Sequence, residues 1–204
     1  MPNITTLAPG TVRAGSAYGF SLFVNGAGFV AGSSVHFNGL ARSTTFISST
    51  QLSASINALD ITTVGSYPIT VLLPAPTNLT SNIVNLTAIP SLGNLVPMTA
   101  VAGSGAFTLT VTGSGFVNGS VVQWNGVART TTFVTSTQLT AAILATDVAL
   151  VGAFPVTILN PAPTNLSSNP INFTVTVLPP ATECPSGLDV AAAQPGIIDS
   201  GPSR

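Results

Sequence analysis

Phe29-Val30 and Phe116-Val117 lie 87 residues apart, and that offset holds through most of the chain. Asn38-Gly39 matches Asn125-Gly126, Ala41-Arg42 matches Ala128-Arg129, and Thr50-Gln51-Leu52 matches Thr137-Gln138-Leu139. Asp60, Gly65 and Pro68 return as Asp147, Gly152 and Pro155, and the run from Pro74 to Leu79 returns intact as Pro161 to Leu166. From Phe20 onward about 40 of 68 aligned positions are identical, far more than chance allows. Upstream the offset becomes 88, where Pro2, Ile4, Leu7 and Pro9 meet Pro90, Leu92, Leu95 and Pro97. A chain built this way must satisfy one fold twice, in units of about 88 residues, the size of a small β-sandwich. The boundary falls near Ile89-Pro90 with almost no linker, so the junction is expected to be stiff.

Strand signals dominate both copies. Short β-rich runs alternate with turn residues. In the first copy they predict strands near Asn3–Leu7, Phe20–Val24, Ser34–Phe37, Arg42–Ser48, Gln51–Ile56, Ser66–Leu72 and Ile83–Ala88. In the second they fall near Leu92–Val96, Phe107–Thr112, Val121–Trp124, Arg129–Thr135, Gln138–Ile143, Ala153–Leu159 and Ile171–Val177. From Phe107 to Thr112 apolar and threonine residues alternate, which sends Phe107, Leu109 and Val111 inward. Asn38-Gly39 and Asn125-Gly126 read as tight hairpin turns. The best helical candidate, Asp189–Ala193, is too short to stand alone.

Only 4% of residues are charged, against a usual ~25%. No apolar run approaches the ~20 residues of a membrane helix, because Ser, Thr, Asn, Gly and Pro interrupt each one, so the chain is not expected to span a membrane. With a net charge of −1 there is no basic footprint for nucleic acid or for an anionic membrane. Near-zero charge favours self-association unless attached sugar hydrates the surface. A single cysteine, Cys184, excludes an intrachain disulfide and reads as an incidental residue or an intermolecular attachment point. No secretion signal follows Met1-Pro2, so either a leader has been removed or export takes another route.

The run Leu109-Thr-Val-Thr-Gly-Ser-Gly-Phe116 follows a Pro-x-Leu-x-x-Leu-x-Pro opening and a Gly-rich loop. It resembles the IPT/TIG type of immunoglobulin-like domain. Residues 22–29 match with substitutions, and the later Val-x-Trp-Asn-Gly is similar to bacterial members. The resemblance covers roughly residues 1–178. It implies two tandem immunoglobulin-like β-sandwiches of about seven strands each, all-β, over residues 1–89 and 90–178, with an irregular tail at 179–204. It also implies a module of bacterial surface and secreted proteins that spaces, stacks or adheres. Other members occur in receptors and in DNA-binding factors, but the scarcity of Lys and Arg argues against nucleic acid.

Catalytic chemistry finds few candidates. His36 aligns with Gln123, so a repeat-encoded catalytic group is not expected there. Asp60 and Asp147 sit in separate units and cannot pair with each other without contact between the units; turn or cap formation is the expected role. No Ser-His-Asp set, Cys-His pair or metal cluster can be assembled. The Gly-rich stretches lack the helix and lysine of a phosphate cradle. No catalytic residue, cofactor or metal is expected, and the chain is not expected to be an enzyme. Arg42 and Arg129 recur, either pairing with Asp60 and Asp147 or meeting a partner. Phe37 and Trp124 are expected to fill the cores; the other reading is a sugar-stacking platform.

Six Asn-x-Ser/Thr sequons stand at Asn3, Asn78, Asn85, Asn118, Asn165 and Asn172, and mark possible glycosylation. In the tail, Leu188, Val190, Ile197 and Ile198 are candidate assembly contacts that would add a strand to a neighbour's sheet edge; the alternative is a linker or a truncated next domain. The expected function is a non-catalytic extracellular or cell-surface structural protein. It would be a self-associating subunit of a filament, surface layer or adhesive stalk, with copies of itself and possibly glycans as partners. The alternative is a carbohydrate-binding, adhesion or spacer module of a larger secreted protein.

Overall fold

The computed structural model describes residues 1–178. Among them lie two sandwiches. The first is built from β1 (Asn3–Ala8), β2 (Thr11–Arg13), β3 (Phe20–Ala27), β4 (Ser34–Phe37), β5 (Leu40–Ala41), β6 (Thr44–Ser48), β7 (Gln51–Ile56), β8 (Gly65–Leu72) and β9 (Val84–Ile89). The second is built from β10 (Ser91–Val96), β11 (Thr99–Val101), β12 (Phe107–Ser114), β13 (Val121–Trp124), β14 (Val127–Ala128), β15 (Thr131–Thr135), β16 (Gln138–Ile143), β17 (Gly152–Leu159) and β18 (Ile171–Thr176). In each, a four-stranded sheet (β1-β3-β7-β6 or β10-β12-β16-β15) faces a five-stranded one (β2-β9-β8-β4-β5 or β11-β18-β17-β13-β14). Pairing is antiparallel except for β2 with β9 and β11 with β18.

The period-2 pattern builds the core. Leu22, Val24, Leu52 and Ile56 from one sheet meet Val35, Phe37, Ile69 and Leu86 from the other, all buried. Leu109, Val111, Leu139, Ile143, Val122, Trp124, Val156 and Phe173 do the same in the second sandwich. Each such side chain contributes about 1.5–3 kcal/mol over leaving it exposed. Of the predicted inward trio, Leu109 and Val111 are fully buried and Phe107 is half-buried.

Each sandwich holds nine strands rather than about seven. The runs Arg42–Ser48 and Arg129–Thr135, read as single strands, begin two residues later, at Thr44 and Thr131, and a separate two-residue strand (β5 or β14) precedes each. The arginine N–H still donates to Val35 O or Val122 O at 2.8 Å, and a threonine hydroxyl takes up the N–H of the same valine. Val35 N–H donates to Thr44 Oγ1 (2.9 Å), which donates to Arg42 O (2.7 Å). Val122 N–H, Thr131 Oγ1 and Arg129 O repeat this at 2.9 and 2.8 Å. The chain thus crosses from the five-stranded sheet (β5, β14) to the four-stranded one (β6, β15) without orphaning buried backbone groups. The short β2 and β11, and the 3-10 helices Ala58–Ile61 and Ala145–Val148, are further additions. The helical candidate Asp189–Ala193 lies outside the described residues.

Two features explain the Gly-x-Gly-Phe signature. A Cβ on Gly26 would sit 1.9 Å from Asn3 O, and one on Gly113 would sit 2.0 Å from Ser91 O, so only glycine lets β1 and β10 approach. Gly28 and Gly115 then turn the chain at φ 73° and 72°. Opposite these glycines the register of β1 and β10 shifts by one residue. Asparagine side chains brace that irregularity. Asn82 Oδ1 accepts from Ile4 N–H (2.7 Å) and its Nδ2 donates to Ile4 O (2.9 Å); Asn169 does the same for Leu92 at 3.1 and 2.9 Å.

Candidate functional site

The recurrent arginines are internal. Arg42 Nη2 donates to Asp60 Oδ1 at 2.6 Å, while Asp60 Oδ2 accepts from Asn57 N–H at 2.9 Å. One carboxylate therefore holds the ion pair and caps the 3-10 helix, so both sequence readings of Asp60 meet in one group. In the second sandwich Arg129 Nε donates to Asp147 Oδ2 at 2.7 Å, its Nη2 reaches Oδ1, and Leu144 N–H donates to Oδ2 at 2.9 Å. Burial raises the Asp147 pKa. The Arg129 hydrogen bonds, the Leu144 N–H and the Arg129 charge outweigh it and leave the carboxyl below its ordinary value. Both pairs are mostly shielded, which leaves the arginines little reach for a partner.

The other candidates sort by exposure. Phe37 and Trp124 are each 2% exposed, so neither offers a sugar-stacking platform; they are core residues because β4 and β13 turn them inward. The half-buried His36 ring lies between Ser34 Oγ (3.1 Å) and Gly39 O (3.3 Å). Among the described residues no three His, Cys, Asp or Glu side chains gather, and no helix is long and apolar enough to cross a membrane. Cys184, Leu188, Val190, Ile197 and Ile198 lie outside the described residues.

All six sequon asparagines are exposed. Asn78 and Asn165 occupy left-handed turns (φ 45° and 46°) in the Pro-rich loops after β8 and β17. Asn3 opens β1, Asn85 and Asn172 lie on β9 and β18, and Asn118 lies between β12 and β13. Asn78 with Asn165 and Asn85 with Asn172 thus stand at equivalent places on the two sandwiches, whereas Asn3 and Asn118 align with Ser91 and Ala31 in the repeat.

The place where the molecule makes a contact between its repeats is the junction. β9 ends at Ile89 and β10 begins at Ser91, with only the buried Pro90 between them. Ser114 Oγ donates to Ala14 O at 2.5 Å across the contact. Ala14 is fully buried although it lies in a loop. A Cβ on Gly115 would stand 3.3 Å from Ala14 Cβ and 2.5 Å from Val64 Cγ2, so glycine is what admits the close approach. Beside this contact lies a cleft of about 410 Å³, walled by Thr62, Thr63 and Val64 on one side and Val117, Thr137 and Asn160 on the other. Sequence reasoning placed the boundary near Ile89-Pro90 but named none of these contact residues.

The IPT/TIG domain model matches residues 90–175. No curated protein matches the chain. Solved structures similar to it include the plexin A4 extracellular region, at 13% identity and a TM-score of 0.38, over 87% of this chain and 18% of that one. They also include the Yersinia pseudotuberculosis adhesin InvE, at 18% identity and 0.33, over 86% and 60%. Murine CEACAM1b aligns at 15% identity and 0.33, over 87% of this chain and 100% of its own. The chain thus spans less than a fifth of the plexin structure. The first sandwich repeats the strand order and pairing of the residues that match the IPT/TIG model.

Proposed function

We propose that this chain is a non-catalytic extracellular structural protein whose copies associate with one another into a filament, surface layer or adhesive stalk. The observation that carries the reading is where the few charges go. Asp60 and Asp147, the only acids among the described residues, are tied up by Arg42 and Arg129, so Arg13 is the one side-chain ion left outside a pair there. What remains is a nearly uncharged surface of Thr, Ser and Asn, with exposed apolar side chains such as Leu59 and Leu150, on a tandem without a linker. Such a surface raises little electrostatic barrier against a second copy of itself. The six exposed sequons add a glycoprotein reading: sugar at Asn78 and Asn165 would hydrate the flanks and leave the ends free. The second reading, an adhesion or carbohydrate-binding spacer in a larger secreted protein, draws on the tandem architecture alone.

Electron microscopy of the native material, with sedimentation velocity over a wide concentration range, tests this. Regular fibres or sheets and concentration-dependent mass are expected. A protein that stays monomeric throughout, or one that is dispersed but binds glycans, would favour the spacer or adhesion reading. Intact mass before and after deglycosylation tests the sequons.

A further inference from the structure

Because the chain is a repeat, each face of its internal junction has an equivalent at an outer end of the tandem. The face formed by Ala14, Gly15 and Val64 returns at the far end of the second sandwich as Ala102, Gly103 and Val151. The face formed by Ser114, Gly115 and Val117 returns at the outer end of the first sandwich as Ala27, Gly28 and Val30. Backbone geometry is kept: φ is 69° and 78° at Gly15 and Gly103, and 72° and 73° at Gly115 and Gly28.

The side chains differ between the junction faces and the open ends. The junction face of the first sandwich carries the exposed Thr62 and Thr63 and the half-buried Val64; the equivalent open face of the second carries Ala149, Leu150 and Val151. Leu150 is 75% exposed and Val151 56%, and Val177 and Leu178 beside them are 66% and 74% exposed. The junction's Ser114, whose hydroxyl crosses the contact, is replaced at the other open end by the exposed Ala27. Both open ends thus carry more apolar side chains than the faces that meet at the junction. Exposed apolar clusters of this kind mark contact surfaces. Both open faces changed in the same sense, which suits them to each other, and Leu150 has the bulk to occupy the space that stays an open cleft beside Thr63.

We propose that the open end of the second sandwich, around Leu150 and Val151, docks on the open end of the first sandwich, around Ala27 and Val30, of a second copy of this chain. The inference rests on the self-association reading above and names its surface. The contact is heterologous, so it repeats head to tail and does not close after one step.

Paired cysteines test it in the full chain carrying Cys184→Ser. With Ala27→Cys and Ala102→Cys in one chain, oxidation should give a ladder of dimers, trimers and longer species. Mixing the two single variants should give a heterodimer and nothing longer. Leu150→Asp, on a side chain the fold does not bury, should raise the concentration needed for association about tenfold or more, whereas Leu40→Ser on the flank should leave it unchanged. If the protein associates but no ladder forms and Leu150→Asp has no effect, the surface is wrong and self-association stands. If the protein never associates, both fall.

Discussion

The two sandwiches share backbone, register and most of their sequence, yet their interiors are not equally bonded. In the first, Phe37 stacks on Tyr67 with ring centroids 5.1 Å apart, and the Arg42 guanidinium lies 5.4 Å over the Phe37 ring. In the second, Trp124 lies 5.6 Å from Phe154 and 4.9 Å from Phe173, and Phe173 reaches Phe107 at 5.7 Å. Leu86 stands where Phe173 does, so the first core has no counterpart to that chain of rings. The arginines differ in step. Arg129 grips its aspartate through two nitrogens, whereas Arg42 uses one, and its buried Nε has no partner. The repeat reproduces a scaffold, while a few substitutions decide how tightly each copy is bonded. The second sandwich should be the more stable.

Cutting the aromatic chain tests that ranking most severely. Trp124→Ala is expected to cost about 3–5 kcal/mol, from lost transfer free energy plus the cavity left behind. Phe37→Ala should cost less, since fewer rings lean on it. Differential scanning calorimetry of both variants checks this, and equal losses would dissolve the comparison. Next come the ion pairs. Arg129→Ala should cost about 2–3 kcal/mol, because it strands a mostly shielded carboxylate. Arg42→Ala should cost about 1–2 kcal/mol, because a single hydrogen bond to Asp60 and the contact with the Phe37 ring are lost while an unpartnered nitrogen goes with them. Acid titration sharpens the point. The Asp147 carboxyl is held below its ordinary value. Its contribution is therefore complete above the unfolded pKa of ~3.9 and disappears as pH falls through the lower folded value. Asp147→Asn should flatten that acid limb of urea stability.

Much of this was legible in the sequence because the repeat supplied a control for each position. Alternation located the long strands, Asn-Gly located the hairpins, and the recurrence of Arg and Asp located the ion pairs. What escaped depended on contacts distant in sequence. Nothing local announces that Thr44 and Thr131 carry the chain between sheets, since a threonine in a strand is ordinary. Asn82 and Asn169 reach strands 78 and 77 residues away, which no window along the chain can see. Junction residues escaped for the opposite reason. Positions that recur report the shared scaffold, and the ones that inform on the junction, Ser114 against Ala27 and Thr63 against Leu150, are those that do not recur.

The asparagine braces give the next test. Asn82→Leu and Asn169→Leu should each cost about 1–2 kcal/mol, since each strands a backbone N–H and C=O that the sheet register leaves unpaired. The cost should be similar in the two sandwiches, because the geometry is shared and no aromatic ring is involved. Chemical denaturation of the pair of variants reads it.

The smallest effect is the cleanest probe of shared backbone. Gly39 and Gly126 follow Asn38 and Asn125 at φ 80° in both hairpins, and a Cβ at either glycine would meet nothing within 4 Å. Alanine there clashes with no neighbour and changes only the backbone's intrinsic preference, which disfavours the left-handed region by about 1 kcal/mol. Gly39→Ala and Gly126→Ala should therefore each lower stability by about 1 kcal/mol, equally within error. A larger loss at one site would mean that the packing difference extends from the cores into the hairpins. Equal losses would place the difference between the sandwiches in side chains alone.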